Sequence, residues 1–189
     1  MPEKLQIIIE KVKNGNKEAF GILVEKHQQY AFTLAFRIVC NEDDARDVVQ
    51  DSFVKMWKNI KLYNSKNKFT TWMYSIVTNT AIDMLRSIRK KELLNIDDYN
   101  ERLTQVPTAN PDTKLNNKEL GQMIKSISDT LPEKQRLVFV LRDLQGMSSD
   151  EAGEVLKLSA TSIKSNLYFA RKVIKERLQK ILTYEGRTI

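Results

Sequence analysis

The chain has 189 residues, 41% of them hydrophobic, and its 31 Lys and Arg against 24 Asp and Glu give a formal net charge of +7. This is enough apolar material for one large or two small packed domains, and the charge favours a polyanionic partner. One cysteine excludes an internal disulfide and a multi-cysteine metal site. No apolar run approaches the ~20 residues of a membrane span, and no signal-peptide pattern begins the chain, so we expect a cytoplasmic protein without membrane insertion.

Apolar residues recur at spacings of three and four along most of the chain, which predicts an all-α fold. A short amphipathic helix ends at Asn14-Gly15-Asn16, and a longer helix is predicted over about 17–40. His27, the only histidine, lies on or beside the apolar face of that second helix. We predict a packing role for it, because no nucleophile, second histidine or carboxylate pair accompanies it.

The third predicted helix begins at Asn41, which can cap it, and is followed at once by three acidic residues that suit the positive end of its dipole. Asp44, Asp47 and Asp51 then share its outer face. A solvated helix face is the simpler interpretation of this stripe. The functional interpretation is a docking surface for a basic protein partner.

A basic, polar loop at 61–68 precedes a fourth helix, whose apolar side begins at Phe69. The opposite side mixes aromatic, amide and cationic side chains. This mixture is typical of single-stranded DNA binding, because bases stack on rings, amides read base edges and cations hold phosphates. Phe69 is predicted to be core, whereas Trp72, at the edge of the apolar stripe, fits the core and the DNA surface about equally.

Helical periodicity is lost over 92–113, where acidic residues and two prolines predict an inter-domain linker. We therefore expect two small helical domains, at 1–91 and 114–189, joined by a flexible acidic linker. Helices are predicted over about 114–129 and from Leu131-Pro132 to just before Gly146.

The last part of the chain predicts a helix-turn-helix. Ser148 and Glu151 fit a capping box, and the tight turn Lys157-Leu158-Ser159 leads into a long helix that is apolar on one side and basic on the other. A second helix of this kind suits the DNA major groove. An αα-hairpin with a solvated basic face is the plainer alternative.

Four stretches, in this order, resemble the extracytoplasmic-function sigma factors of bacterial transcription. Residues 41–53, continuing to Trp57, resemble the family's stretch for docking on the polymerase clamp helices. Residues 69–74 followed by Asn79 resemble its promoter-melting segment. Residues 131–136 with 146–148 resemble the entry to its C-terminal domain, and residues 163–165 with 170–171 resemble its minus-thirty-five reading helix.

The resemblance implies a transcription initiation factor that binds core RNA polymerase and promoter DNA, with no catalytic residue, cofactor or metal of its own. The implied polymerase-binding residues are Asp44, Asp47, Gln50 and Asp51. The implied minus-ten DNA contacts are Tyr63, Asn64, Lys66, Lys68, Trp72, Asn79 and Arg86, with Asn79 reading a flipped-out base and Trp72 holding the strands apart. The implied minus-thirty-five contacts are Thr161, Ser162, Lys164, Ser165, Asn166, Arg171 and Lys172.

The chain also departs from the family pattern. Lys157 stands in the helix-turn-helix turn where the family commonly has Gly, and Asn166 and Phe169 stand where it often has Arg. Two missing cations should weaken phosphate anchoring and flatten the salt dependence of DNA binding. We therefore predict reliance on another DNA-bound protein for placement at promoters. The resemblance also implies an anti-sigma factor as a candidate partner.

Two other functions compete with this interpretation. A stand-alone helix-turn-helix regulator would explain the C-terminal domain, but it needs neither the acidic stripe nor an aromatic that holds strands apart. A nuclease would need clustered metal ligands or a nucleophile with its base. The acids at 43–51 lie on one helix without a histidine, which argues against that class.

Overall fold

The computed structural model describes residues 2–94, 126–128 and 130–184, which contain helices and no strand. The helices are α1 (Pro2–Lys13), α2 (Lys17–Val39), α3 (Glu42–Asn59), α4 (Phe69–Leu94), α5 (Glu133–Phe139), α6 (Ser149–Leu156) and α7 (Ala160–Tyr184). Residues 92–94 of the predicted linker close α4, and residues 126–128 are helical. The rest of the linker and of the helix predicted over 114–129 lies outside the described residues.

Asparagine side chains begin α2 and α3, and the sequence predicts the second of these caps, at Asn41. The side-chain oxygen of Asn16 accepts the Ala19 N–H at 2.7 Å. The side-chain oxygen of Asn41 accepts the N–H groups of Asp43 and Asp44 at 2.9 and 3.0 Å. Each cap satisfies amides that the first turn leaves without a helical partner, which fixes where the helix starts.

Helices α2, α3 and α4 pack together around the N-terminal core, and α1 packs on α2. The apolar stripes predicted from the sequence supply this core, including the fully buried Leu34, Val48, Met56, Met73 and Val77. Large aromatic rings close one side, where Phe20 makes edge contacts with Phe53 and Trp57. The stripes therefore fix which face of each helix turns inward, and with it which faces remain for partners.

His27 packs inside this domain, as predicted. Its side chain is 6% exposed and its ring centroid lies 5.3 Å from that of Phe69. Burial, and secondarily the charge of Lys26, lower the pKa of the imidazole below its ordinary value of 6.5. The folded protein thus holds His27 neutral against the first residue of α4.

The C-terminal domain forms around α5, α6 and α7. The sequence predicts one helix up to Gly146, but α5 gives way to a wider π-helical turn at Val140–Leu144. Gly146, with φ of +70°, then reverses the chain, a conformation that glycine adopts without a steric penalty. The π turn lies beside α7, where its Asp143 contacts Arg171.

The two domains are in contact through α4 and α6. The guanidinium of Arg37, near the end of α2, also donates a 2.5 Å hydrogen bond to the carbonyl of Leu144 at the end of the π turn. The first helix of the helix-turn-helix therefore lies on the helix predicted to melt promoter DNA. In the described ranges, none of the helices has the length and apolar character of a membrane span.

Candidate nucleic-acid and polymerase interfaces

The acidic face of α3 is open to solvent. Asp47, Gln50 and Asp51 are exposed and Asp44 is half-buried. Ion pairs within the described residues do not include Asp47 or Asp51. Val54, one turn beyond Asp51, is 50% exposed on the same side. The sequence analysis overlooked it, although its spacing of three from Asp51 was a usable signal.

The loop before α4 is built around Tyr63, whose ring is buried rather than presented to an incoming base. The ring is 7% exposed and lies 5.6 Å from Phe69 and 5.3 Å from Trp72. Its hydroxyl donates to the Asn67 carbonyl at 2.6 Å, and burial raises its pKa. Tyr63, predicted as a DNA contact, therefore braces the loop in this arrangement.

The other predicted minus-ten residues lie around or along that loop and α4. Asn64, Lys66, Lys68, Asn79 and Arg86 are exposed, and Trp72 is half-buried. Asn64 accepts the Lys66 N–H at 3.0 Å, which closes a local turn. Phe69 is buried, as predicted. Leu62, which the sequence analysis did not single out, is among the most exposed apolar residues of the described chain.

A groove of about 200 Å³ lies between this loop and α6. Leu62, Asn64 and Trp72 line one side, and Glu154 of α6 lines the other. The groove is a candidate receptacle for a flipped-out base, since it combines an aromatic face with amide groups. The acid at its rim would repel the phosphates that flank such a base.

Two more acids of the C-terminal domain lie against the cations of this surface. Glu151 accepts from the Lys68 ammonium at 2.7 Å, and Glu133 lies 3.6 Å from Arg86 and 3.8 Å from Arg89. The Lys68 hydrogen bond, and next that from the Ser148 N–H, lower the pKa of Glu151 to about 2. Cations predicted to hold DNA phosphates are thus engaged by carboxylates within the protein.

The helix-turn-helix forms as predicted. Ser148 and Glu151 make a reciprocal capping box at the start of α6. Lys157 takes the left-handed conformation that glycine usually supplies, with φ of 54°. A separate close approach in this motif falls on Gly153, where an added Cβ would lie 2.8 Å from the Leu158 carbonyl oxygen.

The outer face of α7 carries most of the predicted minus-thirty-five residues. Thr161, Lys164, Ser165 and Lys172 are exposed. The Ser159 hydroxyl, at the end of the predicted turn, accepts the Ser162 N–H at 3.2 Å and so caps the start of α7. The buried side of the helix is the predicted stripe from Ile163 to Ile174.

Two other residues of that predicted set have partners inside the protein. The Asn166 amide donates to the Ser162 carbonyl at 2.8 Å. Arg171 makes two hydrogen bonds with Asp143, at 2.8 and 2.6 Å, and this pairing raises its pKa. Lys164 and Lys172 therefore remain as the less engaged cations of the set.

Potential metal ligands are scattered. In the part of the chain that the structure describes, no three His, Cys, Asp or Glu side chains are placed together to hold a metal ion.

Known proteins match both domains. The Sigma-70 region 2 family model matches residues 23–91, and the Sigma-70 region 4 model matches residues 121–174. The ECF RNA polymerase sigma-E factor of Haemophilus influenzae is 30% identical over 192 residues, covering 96% of this chain and 100% of that protein. The Escherichia coli sigma-E factor is 27% identical over 190 residues, covering 96% and 99%.

Solved structures share the two-domain helical fold. CnrH, in complex with the cytosolic domain of CnrY, superposes with a TM-score of 0.66 at 26% identity, covering 92% of this chain and 96% of that one. RpoE of Bartonella quintana, in complex with the anti-sigma factor NepR, gives a TM-score of 0.68 at 21% identity, covering 85% and 96%.

Proposed function

This chain belongs to the extracytoplasmic-function sigma factors, initiation factors without enzymatic activity that direct RNA polymerase to promoters, and we propose how its helices divide that work. The N-terminal domain, residues 1–91, docks on core polymerase through α3 and captures the opened minus-ten element with α4 and its preceding loop. Residues 92–113 link it to the C-terminal domain, residues 114–189, which contacts the minus-thirty-five element through α7. The proposed place of action is the bacterial cytoplasm.

The single observation that carries polymerase docking is the unpaired acidic face of α3. A folded protein gains little by leaving Asp47 and Asp51 exposed and without ion pairs beside an exposed valine. The same arrangement suits a basic partner surface, because unpaired charges steer association and Val54 offers an apolar contact beside Asp51. Asp44, in the first turn of α3, and Gln50 complete the proposed docking surface.

Capture of the minus-ten element uses the surface around Trp72. Unstacking a base costs a few kcal/mol, which stacking and phosphate contacts must offset. Trp72 supplies the aromatic edge, Asn64 and Asn79 supply amides that can read a base, and Lys66, Lys68 and Arg86 supply the charge.

This capture requires the domains to separate. Glu133, Glu151 and Glu154 face the cations and the groove that single-stranded DNA would occupy, and like charges in such positions disfavour a nucleic-acid strand. Docking on polymerase would exchange the α4–α6 contact for contacts with the enzyme. The free chain is therefore the poorer binder of the minus-ten strand.

Two further partners remain predictions. RpoE, whose structure shares the fold, is bound by an anti-sigma factor, and a partner of that class would suit a chain whose two domains can move apart. A DNA-bound placement protein is the other, because Asn166 and Arg171 are both engaged within the domain.

The test is copurification of the full chain with core RNA polymerase, followed by base-reactivity footprinting on promoter fragments. Asp47→Lys with Asp51→Lys should abolish copurification while circular dichroism stays unchanged. Glu25→Lys with Glu176→Lys makes the same charge change on exposed acids of α2 and α7, and should retain binding.

Asn79→Ala should bind polymerase normally but impair promoter opening. A wild-type chain that never associates with polymerase, or a complex that leaves promoter DNA paired, would refute the proposal. Duplex binding without polymerase dependence would instead favour the stand-alone regulator.

A further inference from the structure

The outer face of α7 bears two large aromatic side chains that the protein core does not use. Tyr168 is 63% exposed and Phe169 is 51% exposed. Their rings contact each other edge to face, with centroids 5.4 Å apart. Leaving two such rings in water forgoes the stabilisation that burial would give, so their position calls for a partner.

The helical geometry places the pair in the middle of the proposed DNA-reading face. Phe169 lies one turn after Ser165 and one turn before Lys172, and Tyr168 lies one turn after Lys164. Serines on the preceding turns are short, so the helix can approach a groove floor closely there. The two rings then project beyond the serines, where base edges would lie.

The charge around the pair selects a nucleic acid as its partner. From Ala160 to Lys175 the sequence has four Lys and Arg and no Asp or Glu. Tyr168 lines a concave surface of about 760 Å³ in which cations outnumber the acid Glu176; the cations are Arg142, Lys164, Arg171, Lys172 and Lys175. Tyr168 lies among these cations and Phe169 lies next to it, and an apolar pair beside such an excess of positive charge fits a duplex groove better than the face of a basic or neutral protein.

We propose that the Tyr168–Phe169 pair reads thymine in the minus-thirty-five element, with the Phe169 ring against the thymine 5-methyl group and Tyr168 holding that ring in place. The major groove of a duplex offers no base face for stacking, and the thymine methyl is its apolar feature. Where the family often has an arginine that attracts phosphate, Phe169 would instead recognise a methyl group. This inference rests on the proposed function of α7.

The test uses the full chain bound to core RNA polymerase and a duplex library randomised across the upstream promoter element. Each thymine in the selected sequence is then replaced by uracil, which removes the methyl group and leaves the hydrogen-bonding edge intact. We expect a thymine preference at one or two positions, and about a fourfold loss of affinity on uracil replacement there, as for one buried methyl group.

Phe169→Ala should lose both the thymine preference and the uracil effect, and Phe169→Leu should keep part of each. Tyr168→Ala should reduce the uracil effect. Tyr30→Ala removes an equally exposed aromatic from the N-terminal domain and should behave as wild type. Phe169 is half-exposed, so its replacement should leave the thermal unfolding midpoint nearly unchanged.

The inference is overturned if the selected element shows no thymine preference, if uracil is tolerated at every position, or if Phe169→Ala selects the same sequences as wild type. The last outcome, joined to weaker binding of a protein partner, would assign the pair to a protein interface. Failure of the proposed function is separate, because the chain would then not bind polymerase or open promoters at all.

Discussion

The two surfaces proposed to contact promoter DNA are presented in opposite ways. The minus-ten surface, on α4 and the preceding loop, lies against α6, with Glu151 on Lys68 and Glu154 at the rim of the groove. The minus-thirty-five face of α7 is open to solvent from Thr161 to Lys172. We therefore expect that duplex anchoring needs no rearrangement of this chain, whereas capture of the melted strand does.

Glu133, Glu151 and Glu154 lie against the minus-ten surface and form a weakly held cover over it. Its ion pairs involve side chains that are largely exposed on the Lys and Arg side, and pairs of this kind contribute little to stability because water competes for both charges. Such a contact holds the free chain closed yet yields to a large interface. We therefore expect electrostatics to control access to the covered surface, and the shape of the helix-turn-helix to set the open one.

A substitution at Gly153 should disrupt the helix-turn-helix that presents the open surface. In Gly153→Ala the new Cβ would lie 2.8 Å from the Leu158 backbone oxygen, so the turn between α6 and α7 must shift. We expect the C-terminal domain to lose on the order of 1–3 kcal/mol of unfolding free energy, and duplex binding to fall with it. Urea denaturation followed by circular dichroism measures the loss.

The matched control is Gly21→Ala, which lies on the exposed side of α2 with open space around its Cβ. Alanine there should stabilise the protein by about 0.5–1 kcal/mol because it restricts the unfolded chain. Equal effects of the two substitutions would contradict the close approach in the turn.

The cover can be weakened by converting Glu133, Glu151 and Glu154 to Gln together. Glutamine keeps the capping box at position 151 but removes the charges that face the minus-ten surface. The free chain should bind a single-stranded minus-ten oligonucleotide several-fold more tightly at low salt, with a smaller gain when bound to polymerase. Fluorescence anisotropy measures both.

A control with the same change of net charge converts Glu18, Glu25 and Glu176 to Gln, all exposed away from the α4–α6 contact. If this variant gains as much affinity as the first, the effect is general electrostatics and the cover has no role.

The smallest expected effect is a pH dependence confined to the N-terminal domain. The pKa of His27 is lowered in the folded state, so the unfolded chain takes up a proton first as pH falls. Stability is therefore full above the ordinary pKa of 6.5 and declines below it. Both tryptophans, Trp57 and Trp72, lie in this domain, so their fluorescence during urea denaturation reports it selectively.

His27→Leu should flatten the pH profile between pH 7.5 and 5. The C-terminal domain, which has no histidine, should show no such decline in that range. The Glu151 carboxyl has a pKa of about 2, so it stays ionised and paired with Lys68 throughout this pH range. Its titration therefore does not contribute to the pH dependence assigned to His27. A slope that persists in His27→Leu would assign it to another group.

Sequence patterns predicted the local structure well where one physical rule dominates. Asn41 and Ser148 were identified as caps, because few residue types can satisfy free amides at a helix start. The buried stripes of α2, α3 and α7 followed from helical spacing. The π-helical turn at Val140–Leu144 was missed, because a π turn carries no distinct composition and depends on packing.

Site residues were predicted by type and family resemblance, and the structure adds what each one contacts. Tyr63 is of a residue type that often stacks on bases, yet its ring is buried because it packs against the rings of Phe69 and Trp72. Arg171 resembles a phosphate contact, yet Asp143 engages it. Asp143 is 28 residues from Arg171, so no helical periodicity could have indicated that contact. Phe69 and Trp72 are close to Tyr63 in the chain, but their packing on its ring depends on how the loop before α4 folds.

The sequence by itself determined the helices, their caps, their inward faces and the family, because these depend on residues within a few turns of each other. Only the tertiary structure decided which charged faces are covered and which stay open. That outcome depends on carboxylates and cations far apart in the chain, such as Lys68 and Glu151, which meet only when the two domains pack together.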